Sequence, residues 1–226
     1  MENLTTKYRP RCLKDLMGQP AVVHTLSHFT AQPYPVAMLF QGDTGTGKTS
    51  TAYALAHELG CAVDDAEMGG VYEIPSGEMS ADEVRAMLRQ LCFRPLLGSG
   101  WRVLICNEAD RMSRPAETIW LDGLEHLPPH SVVIFTTNSP QKLSQRFRDR
   151  CETYHFESAS EKLQPHIRAL ATKVWQAEVG AGECPALDVL GMPTMGDLDN
   201  MHASFRLALN QLQRYVREAK TAVQAG

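Results

Sequence analysis

The stretch Ala37-Met38-Leu39-Phe40-Gln41-Gly42-Asp43-Thr44-Gly45-Thr46-Gly47-Lys48-Thr49-Ser50 decides the fold class. Gly42–Ser50 fits the G-x-x-x-x-G-K-[ST] phosphate-binding loop. The apolar run Ala37–Phe40 before it reads as a buried strand, and Thr51–Leu59 after it reads as a helix. That strand–loop–helix context is what the motif requires. The glycines Gly42, Gly45 and Gly47 let backbone N–H groups of the loop, through Asp43, Thr44, Thr46 and Ser50, close around phosphate oxygens. The following helix adds partial positive charge at its N-terminus. Lys48 is placed to reach the β- and γ-phosphates of a nucleoside triphosphate, and the Thr49 hydroxyl to ligate Mg²⁺.

Outward from the loop, strand and helix patterns alternate. Pro20 precedes a helical run, Ala21–Phe29, and suits a first turn. Gly60–Gly70 is acidic and Gly-rich and reads as a surface connection, and Val71–Ile74 as a short strand. Ser80 and Glu83 form a capping box opening a helix through Cys92, whose apolar face carries Val84, Met87, Leu88 and Leu91. Trp101–Cys106 and Ser131–Thr136 read as buried strands, with a helix Arg114–Glu125 between them and a last strand at Thr153–Phe156. This order predicts an α/β fold, a parallel sheet flanked by helices. After Glu157 no buried strand run remains. Helices are expected over Ser160–Val179 and Met201–Ala219, joined by the Gly/Pro-rich stretch Gly180–Gly196. The expected organisation is an α/β nucleotide-binding domain, 1–157, followed by a small all-α lid domain, 158–226.

Composition excludes less than the motif includes. A chain of 226 residues buries a sizeable core. With 22 Lys and Arg against 26 Asp and Glu, the net charge of -4 gives no global nucleic-acid signature, so any DNA contact must be local. No apolar run approaches membrane-spanning length, and the N-terminal stretch lacks a signal-peptide apolar region. The six cysteines are scattered without a C-x-x-C pair, which points to reduced thiols rather than a disulfide framework or zinc site. His24 and His28 lie four apart on a predicted helix and read as solvent-facing.

A second nucleotide signal stands at Cys106-Asn107-Glu108, the end of a predicted strand. A phosphate-loop ATPase needs an acidic group at such a strand tip to hold Mg²⁺ through water, and a carboxylate to orient the attacking water. Glu108 suits the base. Asn107 stands where an Asp is expected. Its amide can accept a hydrogen bond from a metal-bound water but supplies no charge, so metal binding and turnover would both be weakened.

Together these stretches resemble one family. Lys7-Tyr8-Arg9-Pro10 followed by Leu16-Met17-Gly18-Gln19 is similar to the N-terminal box of clamp-loader AAA+ ATPases, the replication factor C small subunits and bacterial clamp-loader motor subunits. Gly42–Ser50 is then Walker A. Glu73-Ile74-Pro75-Ser76 with Asp82-Glu83-Val84-Arg85 is similar to the strand and helix before Walker B, and Trp101–Met112 to the Walker B strand. Thr136-Thr137-Asn138 is similar to sensor 1. Phe147-Arg148-Asp149-Arg150-Cys151 resembles the S-R-C motif, with Asp149 in place of Ser. The resemblance implies that Tyr8, Arg9 and Met17 lie beside the adenine and ribose, that Asn138 bonds the γ-phosphate or the attacking water, and that Arg150 acts in trans as an arginine finger. It places sensor 2 at Arg206 in Phe205-Arg206-Leu207-Ala208-Leu209-Asn210-Gln211-Leu212-Gln213. A competing alignment uses Gly196-Asp197-Leu198-Asp199 and puts an acid there. Arg85, Arg89, Arg111, Ser113 and Arg114 are the DNA-backbone candidates, whose contacts would be insensitive to sequence and dependent on salt.

The family's third, collar domain and the bacterial zinc insertion have no counterpart in this sequence, so assembly would rest on the ATP interfaces, other partners or DNA. The expectation is a clamp-loader-like AAA+ ATPase acting in DNA replication in the cytoplasm, at the nucleoid or replisome. It would bind ATP and Mg²⁺, self-associate or join related subunits in a ring or spiral, and engage DNA, with a sliding clamp as an implied partner and no membrane. Host or viral origin is left open. Two alternatives stand: a structural subunit that binds ATP with little hydrolysis, and an adaptor recruiting a recombinase, transposase or helicase to DNA.

Overall fold

The computed structural model describes residues 2–65, 68–74, 79–180, 182–191 and 203–225. Five strands form one sheet: β1 Val36–Gln41, β2 Val71–Ile74, β3 Arg102–Cys106, β4 Ser131–Thr137 and β5 Glu152–His155. Their order is β2-β3-β4-β1-β5, and every pairing is parallel. A parallel sheet is covered on both faces, so its central strands are apolar at successive positions rather than at alternate ones. The alternation of Cβ direction then divides each strand between two cores. Met38 and Phe40 of β1, Val103 and Ile105 of β3, and Val132 and Ile134 of β4 join one cluster. Ala37 and Leu39, Leu104 and Cys106, and Val133 and Phe135 join the other.

The first core is closed by α2 Pro20–Ala31 and α3 Lys48–Glu58, through Val22, Leu26, Phe29 and Leu55. The second is closed by α4 Ala81–Leu91, α5 Arg114–Glu125 and the short α6 Gln145–Arg148. There Trp120, Phe135 and Phe147 meet edge to face at centroid distances of 5.1 and 4.8 Å, the arrangement aromatic quadrupoles favour. The capping box predicted for α4 is present in both directions. Ser80 Oγ accepts from the Glu83 N–H, and Glu83 Oε2 accepts from the Ser80 N–H at 2.7 Å.

Three expectations need correction. Helix α3 starts at Lys48, not Thr51. The Gly47 carbonyl accepts both the Thr51 N–H at 2.8 Å and the Thr51 hydroxyl at 2.9 Å, so the end of the loop is already the first turn. Gly69 and Gly70, read as surface, are buried. A Cβ on Gly69 would lie 1.8 Å from the Ala62 carbonyl oxygen, a packing only glycine permits. The last helix, α8, spans Phe205–Ala225 rather than Met201–Ala219. Ser204 stops it from starting earlier, because its Oγ accepts the Leu207 N–H at 3.2 Å and caps the helix.

After β5 come α7 Ser160–Glu178 and α8, which share their own core of Val174, Trp175, Leu209, Leu212 and Val216. The N-terminal turn α1 Leu4–Lys7 packs into that same core through the fully buried Leu4, and the Leu4 N–H donates to Gln213 Oε1 at 2.7 Å. The two ends of the chain therefore meet. Among the described residues no helix is long and apolar enough to cross a membrane.

Candidate nucleotide site

The sheet presents its carboxyl ends on one side, where β1 leads into the loop, β3 into Asn107 and β4 into Asn138. Open α/β sheets place ligands at such ends. Here they open into a cleft of about 610 Å³ whose opposite wall is made by residues 5–11 of the N-terminal segment together with α7 and α8.

Lys48 is the centre of the phosphate side. Its Nζ donates to the carbonyls of Gly42 at 2.6 Å and Asp43 at 2.7 Å, and to Asn138 Oδ1 at 2.8 Å. The ammonium is thus held by the loop and by the residue that follows β4. Burial pushes its pKa down to about 8, helped by the nearby Arg206 guanidinium and opposed by Asp43 and Asp110. Loop closure depends on Gly45 at φ +82. Its carbonyl accepts the Phe205 N–H at 3.1 Å, and a Cβ there would lie 1.9 Å from Ser204 Oγ. The start of α8 therefore rests directly on the loop, and this contact carries Arg206 to the cleft wall.

Thr49 Oγ1 donates to Asn107 Oδ1 at 2.8 Å, and Thr136 Oγ1 donates to the same oxygen at 3.1 Å. Thr136 Oγ1 also accepts the Glu108 N–H at 3.2 Å. Glu108 has φ 49, a left-handed turn that swings it off the strand line and onto the cleft. Its carboxylate meets Arg111 at 2.9 Å. Asn138 Nδ2 donates to Thr44 Oγ1 at 3.0 Å, so the residue ties loop and lysine together.

Tyr8, Arg9, Met17, Thr44, Gly45, Thr46, Gly47, Lys48, Thr49, Ser50, Asn107, Glu108, Asn138 and Arg206 all line the cleft. Gly42 and Asp43 stand behind its wall and act through their carbonyls. Tyr8 donates to Glu178 Oε1 at 2.9 Å, and the Arg9 guanidinium lies 4.8 Å from the Tyr53 ring centre. Arg150 is elsewhere. Its guanidinium pairs with Glu125 and donates to the Arg146 carbonyl at 3.0 Å. The DNA-backbone candidates also lie outside, apart from the contact of Arg111 with Glu108. Arg85 pairs with Asp82 at 2.7 Å and Arg114 with Glu117 at 3.3 Å; Ser113 caps α5. The competing sensor 2 stretch, Gly196–Asp199, falls outside the described residues.

Three residues of the site were not singled out from the sequence. Gln19 is buried and ties the phosphate loop to the segment after β5: its Nε2 donates to the carbonyls of Thr46 and Glu157, and its Oε1 accepts the Glu157 N–H at 2.8 Å. Glu73, at the cleft end of β2, accepts from the Asn107 amide. Its position one residue before a strand end was the available signal. Glu178 holds Lys7 at 2.5 Å and Lys220 at 2.6 Å besides Tyr8, and these hydrogen bonds pull its pKa down to about 2. Nothing local in the sequence marks it.

The residues present fit a Mg·nucleotide. A buried ammonium faces carbonyl and amide oxygens at the mouth of a glycine loop, and a hydroxyl and an amide oxygen converge where they could hold an oxygen-seeking cation. Residues 38–158 match the model of the ATPase family associated with various cellular activities (AAA). Among curated proteins, the chain is 26% identical over 208 residues to a replication factor C small subunit of Halobacterium salinarum, covering 92% of this chain and 61% of that one. Among solved structures, it superposes on the RuvB Holliday junction branch migration motor of Thermotoga maritima with a TM-score of 0.67, at 23% identity over 96% of this chain and 67% of that one. It also superposes on a DNA polymerase III gamma subunit-related protein of the same organism, with a TM-score of 0.60 at 16% identity, over 84% and 57%. With the family model covering more than half its length, the chain belongs to the AAA ATPase family.

Proposed function

We propose that this chain binds Mg·ATP between a nucleotide domain, 1–157, and a lid, 158–226, and hydrolyses it at subunit interfaces of a ring or spiral on DNA during replication. The observation that carries the reading is the three-way hold on Lys48 Nζ by Gly42, Asp43 and Asn138, beside the Thr49–Asn107 pair. Lys48 binds the β- and γ-phosphates, and Arg206 approaches them from the lid. The Thr49 hydroxyl, and Asn107 through water, hold the metal. Bound Mg²⁺ offsets phosphate charge and orients the terminal phosphoryl group. Asn138 leaves Lys48 to meet the γ-phosphate or the attacking water. Glu108 orients and polarises that water after exchanging Arg111 for it. Tyr8, Arg9 and Met17 bound the base and ribose.

Arg150, which pairs with Glu125 away from its own cleft, would exchange that partner for a neighbour's nucleotide. An arginine supplied in trans contributes about 10³–10⁵ in rate in phosphoryl transfer. Arg85, Arg89, Arg111, Ser113 and Arg114 would track duplex phosphates, with a sliding clamp as a further partner. A second reading, binding with little turnover, is favoured by the uncharged Asn107 and by the Arg111 contact that occupies Glu108.

Turnover with duplex DNA present, measured for wild type and Glu108→Gln alongside equilibrium ATP binding, tests this. We expect Glu108→Gln to keep ATP affinity within about threefold and to lose turnover by about 100-fold. Wild-type binding without measurable turnover would establish the second reading, and no ATP binding at all would overturn both.

A further inference from the structure

We propose that Glu73 supplies, through the Asn107 amide, the negative charge that the metal position lacks; this rests on the Mg·ATP reading above. The strands β2 and β3 are parallel neighbours with Ile74 beside Cys106, and the Asn107 N–H reaches the Ile74 carbonyl at 3.4 Å. This register sets the side chain of Asn107 between Glu73 and the phosphate loop. The amide is used on both sides. Its Oδ1 accepts from the Thr49 and Thr136 hydroxyls, at 2.8 and 3.1 Å, and its Nδ2 donates to Glu73 Oε1. The second oxygen of Glu73 accepts the Tyr53 hydroxyl at 2.6 Å. Burial, with Glu73 as neighbour, pushes the Tyr53 hydroxyl up to about 12, so it stays a neutral donor.

Glu73 thus takes both of its hydrogen bonds from neutral donors. Among the described residues it forms no ion pair with a lysine or arginine, yet it lines the cleft that receives phosphates. A carboxylate beside phosphates is repulsive unless a cation stands between them. Mg²⁺ keeps several waters and is commonly bound through outer-sphere carboxylates, so a carboxylate one amide removed from the Thr49 hydroxyl suits it. Polarisation of the Asn107 amide by Glu73 also raises the negative charge on Oδ1, the atom that faces the metal side. The result is an Asn–Glu pair doing over two strands what a single strand-end Asp does on one.

The test uses the whole chain with the non-hydrolysable analogue AMP-PNP and Mn²⁺, reading free Mn²⁺ by electron paramagnetic resonance. In Glu73→Gln the side-chain oxygen still accepts from Asn107, the NH2 faces Tyr53, whose hydroxyl can turn to accept from it, and the negative charge is removed. Partners one shell from a metal are worth about 10–100-fold in its affinity, so Mn²⁺ affinity of the AMP-PNP complex is expected to fall about tenfold. Metal-free AMP-PNP affinity should stay constant or rise. Adding Asn107→Asp to Glu73→Gln restores one negative charge and should return Mn²⁺ affinity to within about threefold of wild type. Mn²⁺ affinity unchanged in Glu73→Gln would overturn the assignment and leave Glu73 a structural acceptor. So would a loss that the double variant fails to recover. A wild-type chain that binds AMP-PNP but no Mn²⁺ would overturn the metal site as a whole, and one that binds neither would bring down the Mg·ATP reading itself.

Discussion

The two walls of the cleft are built by opposite means. The phosphate wall is a run of adjacent backbone: loop, start of α3 and the ends of β1, β3 and β4, with Lys48 held by oxygens of the loop and of one neighbouring strand end. The opposite wall joins the two ends of the chain. Leu4 meets Gln213, Lys7 and Tyr8 meet Glu178, and Glu178 in turn meets Lys220. The first wall is rigid because the buried central strands β1, β3 and β4 fix it. The second hangs on one buried carboxylate and a small apolar core, and elements with fewer buried contacts open at lower free energy. A nucleotide would therefore find its phosphate side preformed and complete its base side against the N-terminal segment, α7 and α8.

Breaking the rigid wall should have the largest effect. Lys48→Ala removes a buried, hydrogen-bonded cation from the phosphate position, and ATP affinity by equilibrium titration is expected to fall about 100-fold or more. Thermal stability of the nucleotide-free chain should hold or rise, because the burial cost of the ammonium disappears with it. An affinity loss below about fivefold would remove Lys48 from the site.

Breaking the hinged wall should show in stability first. Glu178→Ala strips the acceptor from Lys7, Tyr8 and Lys220 and is expected to cost about 2 kcal/mol. Hydrogen exchange should quicken in α1, α7 and α8 and stay unchanged in β1 and β4; a uniform rise would mean that the two walls open as one unit. The sign with pH follows from the depressed carboxyl. Glu178 stabilises fully above the ordinary carboxylate pKa, and that contribution is lost as pH falls toward about 2.

The smallest effect sharpens the electrostatics of the phosphate wall. Empty Lys48 loses its proton near pH 8, whereas phosphates favour the charged form, so ATP binding at pH 8–9 should take up a proton at this residue. Affinity should weaken about tenfold between pH 7 and pH 9, and calorimetry in buffers of different ionisation heat should show the uptake. The same linkage makes the empty fold slightly more stable as pH rises above about 8, since the folded state gives up this proton before the unfolded one does.

Legibility from sequence divides along the same line. Glycine spacing, the buried apolar runs and the Ser80–Glu83 box are local signals, and each produced the element expected of it. The boundaries that shifted, Lys48 and Phe205, are places where a side-chain or loop hydrogen bond rather than apolar periodicity decides where a helix begins. Asn107 was visible as a departure from an acidic strand end. Its pairing with Glu73 was not, because a strand's sequence does not tell which strand lies beside it or in what register.

The sequence by itself determined the parallel α/β sheet and the phosphate loop and pointed to Lys48, Thr49 and Glu108 as cleft residues, because backbone geometry there depends on residues close in the chain; Asn138 was marked by the family resemblance. The tertiary structure alone decided that Leu4 and Tyr8 close on α7 and α8, that Glu178 holds them, that Arg150 rests on Glu125, and that Glu73 backs Asn107. Those contacts join residues far apart in sequence, and what selects them is the burial of apolar faces and the demand that each buried charge meet a partner.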